Sequence, residues 1–278
     1  MKRLAVIGDP IAHSRSPAMQ TAALRALGLD REWSYEAIEI SPADFEERVR
    51  ALPDEGFVGA NVTIPHKRAA LAVADGASAA ATEIGAANTL SFGAGEIHAE
   101  NTDGPGLLAA LGKKPAGKRA LVLGAGGSAR AAVWALAREG ATVEIWNRTP
   151  ERADELTRDL SRALGNAGDL PLLSAVSAAQ AGASAYELVL NCTAVGLEGG
   201  EDPFALLPID RRRIGKGLTV VDFVYGDAET ALARASRDGG ARVVDGIELL
   251  VRQGAESLRI WTGKNPPLDV MRDAARRG

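Results

Sequence analysis

One short stretch limits what this chain can fold into more than any other. Ala120-Leu121-Val122-Leu123 is a continuous apolar run of strand type, Gly124-Ala125-Gly126-Gly127-Ser128-Ala129 follows it without a gap, and residues 128–138 are helical in pattern. A G-x-G-x-x-A loop between a strand and a helix is the mark of a dinucleotide-binding βαβ unit. The first glycine permits the tight turn, the second lets a pyrophosphate approach the backbone, and the small last residue lets the helix pack close to the strand. The helix start then offers free N–H groups to phosphate. In a chain with 31 Gly the spacing alone is weak; its place between strand and helix gives it weight.

Strand and helix signals alternate on both sides of this loop. Upstream, Leu4-Ala5-Val6-Ile7 reads as a buried strand, residues 17–27 as a helix, and Tyr35-Glu36-Ala37-Ile38-Glu39-Ile40 as an alternating strand. Ser41 is expected to cap a helix with Pro42 at its first position. Phe57-Val58-Gly59-Ala60-Asn61-Val62 is a further strand, a helix starts at Lys67, and the Ala-rich segment 69–87 reads as a tightly packed helix. Downstream, Thr142-Val143-Glu144-Ile145-Trp146, Leu188-Val189-Leu190 and Leu218-Thr219-Val220-Val221 are strands. Residues 247–261 form the last clear helix, followed by a frayed, charged end. Strands separated by helices of this length imply βαβ units and a mostly parallel sheet. The polar link Lys113-Lys114-Pro115-Ala116-Gly117-Lys118 marks a junction, near residues 101–115, between two α/β domains.

Composition narrows the function. With 32 Lys+Arg against 36 Asp+Glu, the net charge of -4 argues against a nucleic-acid partner held by phosphate neutralisation. A single Cys, Cys192, excludes an internal disulfide framework, and three His beside it leave little for a metal site, so none is expected. No apolar run approaches the roughly 18 residues of a membrane span. The expectation is a soluble, cytoplasmic enzyme or small-molecule binder.

The end of the strand after the glycine loop discriminates between cofactors. An NAD-preferring site places a carboxylate there for the ribose 2′-OH. This chain has Asn147-Arg148-Thr149 instead, an amide, a guanidinium and a hydroxyl that suit a 2′-phosphate. The reading is NADP, although an ordinary turn with a solvated Arg would use the same residues.

Several polar residues follow strands of the first half, where an open α/β sheet binds its ligands. They lie in His13-Ser14-Arg15-Ser16-Pro17, Asn61-Val62-Thr63-Ile64-Pro65-His66-Lys67, Asn88-Thr89 and Asn101-Thr102-Asp103-Gly104. Hydroxyls and amides at short spacing suit a small polyhydroxylated ligand, and Lys67 and Asp103 alone combine proton exchange with complementary charge. The same residues have plainer uses: Ser14 and Ser16 as helix caps, Asn61 in a turn, Lys67 solvated. His66, one residue from Lys67, points elsewhere on a helix.

Taken together, GDPIAHSRSP (8–17), NVTIPHK (61–67), GAANTL (85–90), NTDGPG (101–106), VLGAGGSARA (122–131), NRT (147–149), NCTAVGL (191–197), VDFVY (221–225) and DGIELLVRQGAESLRIWTG (245–263) resemble the shikimate dehydrogenase family nearly end to end. The resemblance implies an N-terminal α/β substrate domain plus a Rossmann-type doubly wound NADP domain, with residues 1–103 and 247–278 forming the first and 104–246 the second. It implies NADPH-dependent reversible reduction of 3-dehydroshikimate to shikimate, in the chorismate pathway to the aromatic amino acids. Lys67 and Asp103 resemble the catalytic pair, Lys67 protonating the developing alkoxide. Ser14, Ser16, Asn61, Thr63, Asn88, Tyr225 and Gln253 match positions that hold substrate. Gly124, Ala125, Gly126, Gly127, Ser128 and Ala129 match the phosphate loop, Asn147, Arg148 and Thr149 the adenosine-phosphate site, and Gly246 the backbone beside the nicotinamide. A homodimer is compatible with this reading; nucleic acid and membrane are not expected partners.

The sequence departs from the family pattern at Gln20-Thr21, where His-Asn is frequent, at Glu248-Leu249, where Gly-Met is usual, and at Asp227 and Ala231, which replace prolines. Two other readings stay open: a quinate/shikimate dehydrogenase using NAD, and a catalytically inactive NADP-sensing module.

Overall fold

The computed structural model describes residues 1–165, 173–197, 199–226 and 228–277. It divides into two compact units, Met1–Gly106 with Leu250–Gly278, and Leu107–Leu249.

The first unit is built on six strands, β1 (Lys2–Gly8), β2 (Trp33–Glu39), β3 (Phe57–Val62), β4 (Gly76–Ala77), β5 (Thr89–Gly93) and β6 (Glu96–Glu100), in the order β2-β1-β3-β5-β6-β4. Pairing is parallel across β2-β1-β3 and between β6 and β4, but antiparallel for β3-β5 and β5-β6. Three of the five pairings are parallel, in keeping with the mostly parallel sheet the sequence predicts, and the two antiparallel ones, both made by β5, were not anticipated. The β5-β6 hairpin turns through Ala94 (φ 53°) and Gly95 (φ 81°), two successive left-handed residues. That is the turn whose twist suits a two-residue hairpin, reached here without the Asn-Gly or Asp-Gly pair that usually announces it.

Three other expectations for this unit change. The helix after β2 is Phe45–Ala51 and starts later than Pro42: the Ser41 hydroxyl donates to Asp44 Oδ2 at 2.6 Å and accepts from the Asp44 N–H, forming a local turn in place of a cap. The Ala-rich segment is broken. One helix ends at Val73 and another runs Ala79–Ile84 behind an N-cap from Ser78, because Asp75 is drawn into accepting from the Ile97 N–H at 2.8 Å. The charged C-terminal end is a helix, Leu268–Arg277, which buries Met271, Ala274 and Ala275 and packs on the helix Ser16–Ala26. Its three small or flexible apolar side chains were outnumbered by charge in the sequence, but they fall at i, i+3 and i+4 and form one stripe. Behind the sheet, Ile7, Phe45, Val49, Leu52 and Leu90 are almost completely buried. Each such side chain contributes about 1.5–3 kcal/mol from removal from water.

The second unit has six parallel strands, β7 (Arg119–Leu123), β8 (Thr142–Trp146), β9 (Leu173–Ala175), β10 (Leu188–Asn191), β11 (Thr219–Asp222) and β12 (Arg242–Val244), in the order β12-β11-β10-β7-β8-β9. The chain runs outward from β7 in one direction through β8 and β9, then returns to β7's other side for β10, β11 and β12. Strand order reverses at β7, and the crevice at the carboxyl ends of the strands there is where such a sheet takes its ligand. The helix Gly127–Arg138 follows β7 and lies close against the sheet through Ala129, Ala132, Val133 and Leu136, all buried. Mostly small side chains on that face make the close approach possible. Among the described residues no helix is long and apolar enough to cross a membrane.

Candidate active site

In the first unit the two charged candidates meet. Lys67 opens the helix Lys67–Val73 directly after the turn that follows β3, and Asp103 opens the helix Asp103–Leu111 directly after β6. Lys67 Nζ donates to Asp103 Oδ2 at 2.6 Å, with only 11% and 9% of the two side chains exposed. Asp103 is fixed from two sides. Asn101 Oδ1 accepts from the Asp103 N–H at 3.1 Å, capping the helix start, while Asn88 Nδ2 donates to Asp103 Oδ1 at 2.9 Å. Asn88 Nδ2 also lies 3.2 Å from Gln253 Oε1. Lys67, Asn88, Asp103 and Gln253 therefore form one connected set. Gly106 makes room for it: a Cβ there would stand 2.9–3.1 Å from the backbone and Cβ of Gln253.

The hydroxyls behave differently from one another. Ser16 and Thr63 make no side-chain hydrogen bond among the described residues, so their hydroxyls are available to a ligand, while Ser14 Oγ only accepts from the Ser16 N–H at 3.3 Å. Asn61 is spent within the protein. Its Oδ1 accepts from Tyr35 OH at 2.8 Å, and its Nδ2 lies 2.9 Å from Ser257 Oγ, 3.2 Å from the Asn88 carbonyl and 3.3 Å from Thr89 Oγ1. With both amide hydrogens committed, Asn61 keeps at most one lone pair for a ligand. His66 is buried, stacked on Phe45 at 4.5 Å, and its Nε2 lies 2.7 Å from the Ile40 carbonyl, turned to the backbone.

The second unit carries the remaining candidates at the carboxyl edge of its sheet. Gly124 has φ +109°, and a Cβ there would stand 3.0 Å from the Cys192 carbonyl oxygen, so this position requires glycine twice over. Around a Cβ built at Gly126 nothing lies within 4 Å, and Gly126, the N-cap, leads in extended conformation into the helix Gly127–Arg138 with no side chain of its own to cap it. The loop from Gly124 through Ala125, Gly126, Gly127 and Ser128 to Ala129 thus leads into the helix start through an open glycine. At the end of β8, Asn147 Nδ2 donates to the Thr149 carbonyl at 2.9 Å, Thr149 leaves its hydroxyl out of the following helix cap, and Arg148 is exposed with no partner among the described residues. Tyr225 is half-buried in the loop after β11. Gly246 has its own packing reason, since a Cβ would meet the Val224 carbonyl oxygen at 2.6 Å. Asp227 lies outside the described residues.

Sequence reasoning passed over Ser257 and gave Thr89, Thr102 and Gln20 no part in holding this set in place. Ser257 Oγ, fully buried, lies 2.8 Å from Thr89 Oγ1 and 3.1 Å from Thr102 Oγ1 and donates to the Gln253 carbonyl at 3.0 Å. The Thr102 N–H donates to Asn88 Oδ1 at 2.8 Å. Gln20 Nε2 donates to the Gly254 carbonyl at 2.9 Å, so the departure from His at this position still ties two helices of the unit together. Spacing held one clue: Ser257 stands four residues after Gln253, on the same helix face.

The chain is similar to known proteins along nearly its whole length. Family models match residues 6–90 (shikimate dehydrogenase substrate binding domain), 108–194 (shikimate / quinate 5-dehydrogenase) and 246–276 (shikimate 5'-dehydrogenase C-terminal domain). The chain is 43% identical to the shikimate dehydrogenase (NADP(+)) of Anaeromyxobacter sp. (strain Fw109-5), covering 96% of this chain and 92% of that one. It is 40% identical to the enzyme of the same name from Methanothermobacter thermautotrophicus, covering 98% and 95%. A crystal structure of shikimate 5-dehydrogenase from Thermus thermophilus in complex with NADP(H) and shikimate superposes with a TM-score of 0.85 at 40% identity, over 100% of this chain and 99% of that one. Matched along nearly its whole length, the chain belongs to the shikimate dehydrogenase family.

Proposed function

We propose that this chain catalyses the reversible NADPH-dependent reduction of 3-dehydroshikimate to shikimate, in the cytoplasm, on the chorismate route to the aromatic amino acids. The observation that carries the proposal is the shielded Lys67–Asp103 pair, tied through Asn88 to Gln253. The substrate domain is residues 1–103 with 247–278 and the NADP domain residues 104–246, a division supported by two compact units with nearly the same bounds.

The second unit has the chemistry for the cofactor. Its helix start behind an open glycine suits the pyrophosphate, and Asn147, Arg148 and Thr149 suit the 2′-phosphate, with a guanidinium unpaired among the described residues and no carboxylate among the three. Gly246 borders the loop on which the nicotinamide half would rest. When bound, NADPH supplies the hydride that goes to the ketone carbon.

The protein's own residues handle the oxygen. In reduction Lys67, as an ammonium, donates its Nζ proton to the ketone oxygen, which becomes the hydroxyl; in oxidation the neutral amine takes that proton back. Asp103 holds Nζ in place, and Asn88 holds Asp103. Ser14, Ser16, Thr63, Tyr225 and Gln253 bind the remaining hydroxyls and the carboxylate, with Asn61 acting through its neighbours more than by direct contact.

An absorbance assay tests this: shikimate or quinate, each with NADP or NAD, following reduced nicotinamide. Turnover with shikimate and NADP, and weak turnover otherwise, is expected. Preference for NAD or quinate would overturn the specificity reading, and NADPH binding without turnover would favour a sensing role. Light scattering on the same sample distinguishes one chain from a homodimer.

A further inference from the structure

Asp222 ends β11 almost fully buried, at 1% exposure, and no cation pairs with it among the described residues. Its carboxylate is held by neutral donors alone. Asn191 Nδ2 donates to Oδ1 at 2.9 Å, the Val224 N–H to Oδ1 at 3.2 Å, and Thr230 Oγ1 to Oδ2 at 2.6 Å. Burial raises this carboxyl above the usual carboxylate range, the three donors oppose that, and the charge of Asp245 adds to the rise.

The donors belong to the loops at the carboxyl edge of the sheet. Asn191 ends β10, in register with Asp222. Asn191 Oδ1 accepts from Thr193 Oγ1 at 2.6 Å and from the Thr193 N–H at 3.1 Å, and its Nδ2 donates to the Val195 carbonyl at 3.1 Å. That shapes the loop whose Cys192 carbonyl abuts Gly124. On the other side, the Asp222–Val224 bond sets the turn whose Val224 carbonyl abuts Gly246, just before Tyr225. Thr230 in turn caps the following helix through the Ala233 N–H at 3.1 Å. One carboxylate therefore joins the phosphate loop, the 192–197 loop, the 223–225 turn and the start of the next helix.

Strand order says which part of a dinucleotide meets this rim. With phosphates at the loop after β7 and the adenosine end at Arg148 after β8, the other half must run the opposite way, over β10 and β11. We propose that Asp222 is a positioning residue that sets the rim formed by residues 192–197 and 223–225 for the nicotinamide half of NADP. This rests on the NADP reading given above.

The test compares two ligands on the purified chain: NADPH, followed by its fluorescence, and 2′,5′-ADP, which carries the adenosine half only, followed by calorimetry. Asp222→Ala should weaken NADPH at least tenfold and leave 2′,5′-ADP within twofold. Asp222→Asn, whose amide oxygen still accepts from Asn191 and Val224 while its NH2 faces a Thr230 hydroxyl able to accept, should restore NADPH to within threefold. Thr193→Val breaks the 192–197 loop on the same network without a buried charge and should weaken NADPH about threefold, again sparing 2′,5′-ADP; it serves if Asp222→Ala does not fold. Equal loss of both ligands, or a lowered melting temperature with both affinities intact, would make the role merely structural and overturn the proposal. Failure of the unaltered chain to bind NADPH would sink the cofactor reading itself and the proposal with it.

Discussion

Replacing Asp103 by Asn probes the proposed mechanism with the least change of shape. Asp103 accepts at both oxygens, from Lys67 Nζ at 2.6 Å and from Asn88 Nδ2 at 2.9 Å. An amide offers one acceptor and one NH2, so one of these donors would face another donor. At the observed separation and an effective dielectric of about 20, the gross attraction between the charges is about 6 kcal/mol. Desolvation offsets much of that, and the net value of a hydrogen bond to a charged group is about 1.5–3 kcal/mol. If this energy holds Lys67 at the reacting oxygen, kcat should fall about 10- to 150-fold, at about 1.4 kcal/mol per decade, with a much smaller change in the KM for shikimate. Steady-state kinetics with NADP saturating, beside a thermal melt, reads both numbers. A kcat within about threefold of the original, or a pure KM effect, would remove Asp103 from the pair.

Other expectations follow from the same geometry. Lys67→Ala should lower kcat far more than it raises KM, as steady-state rates with shikimate will show. Arg148→Ala should raise the KM for NADP about tenfold or more, the value of a guanidinium–phosphate pair, and leave the KM for shikimate and the melting temperature unchanged. Ser257→Ala removes three buried contacts between elements and should cost about 2–4 kcal/mol in chemical denaturation. Asp222 has a raised native pKa, so the folded state binds more protons than the unfolded one between the unfolded carboxylate value of about 3.9 and the native value. Its contribution is therefore fully present below that window and lost as pH rises through it. Relative to Asp222→Asn, the unaltered chain should lose stability over that interval in denaturant titrations; a gain would contradict the burial argument.

Four of the second unit's six strands, β7, β8, β10 and β11, were legible in the sequence because they are mostly apolar and the loop chemistry sits next to the strand that carries it, whereas β9, β12 and the helices Pro150–Leu164 and Ala231–Asp238 were not read. β7, β8 and the helix between them were readable within a residue. The first unit was harder. β5 and β6 are short, one turn lacks its usual residues, and Asp75 and Ser78 break a helix that alanine content alone would continue. The charged half of the site was visible as Lys67 and Asp103, since two opposite charges after strand ends have few structural uses. The network that holds them was not: Thr89 and Thr102 stood out only as polar residues and Tyr35 and Ser257 not even as that, and the contacts they share reach up to 196 positions apart. Such partners are set by the packing of elements, which no local spacing encodes. Asn61, matched to a substrate position by family resemblance, has its amide hydrogens on such distant partners. A polar residue after a strand looks available until its neighbours are known.

A crystal structure of the chain with shikimate bound tests the central claim most directly. The account predicts one ring hydroxyl oxygen within about 3 Å of Lys67 Nζ, hydrogen-bonding distance, with Asp103 still paired to that lysine and the hydroxyls of Ser16 and Thr63 on the ligand. Shikimate bound with no oxygen near Lys67, or bound away from this cluster, would contradict it.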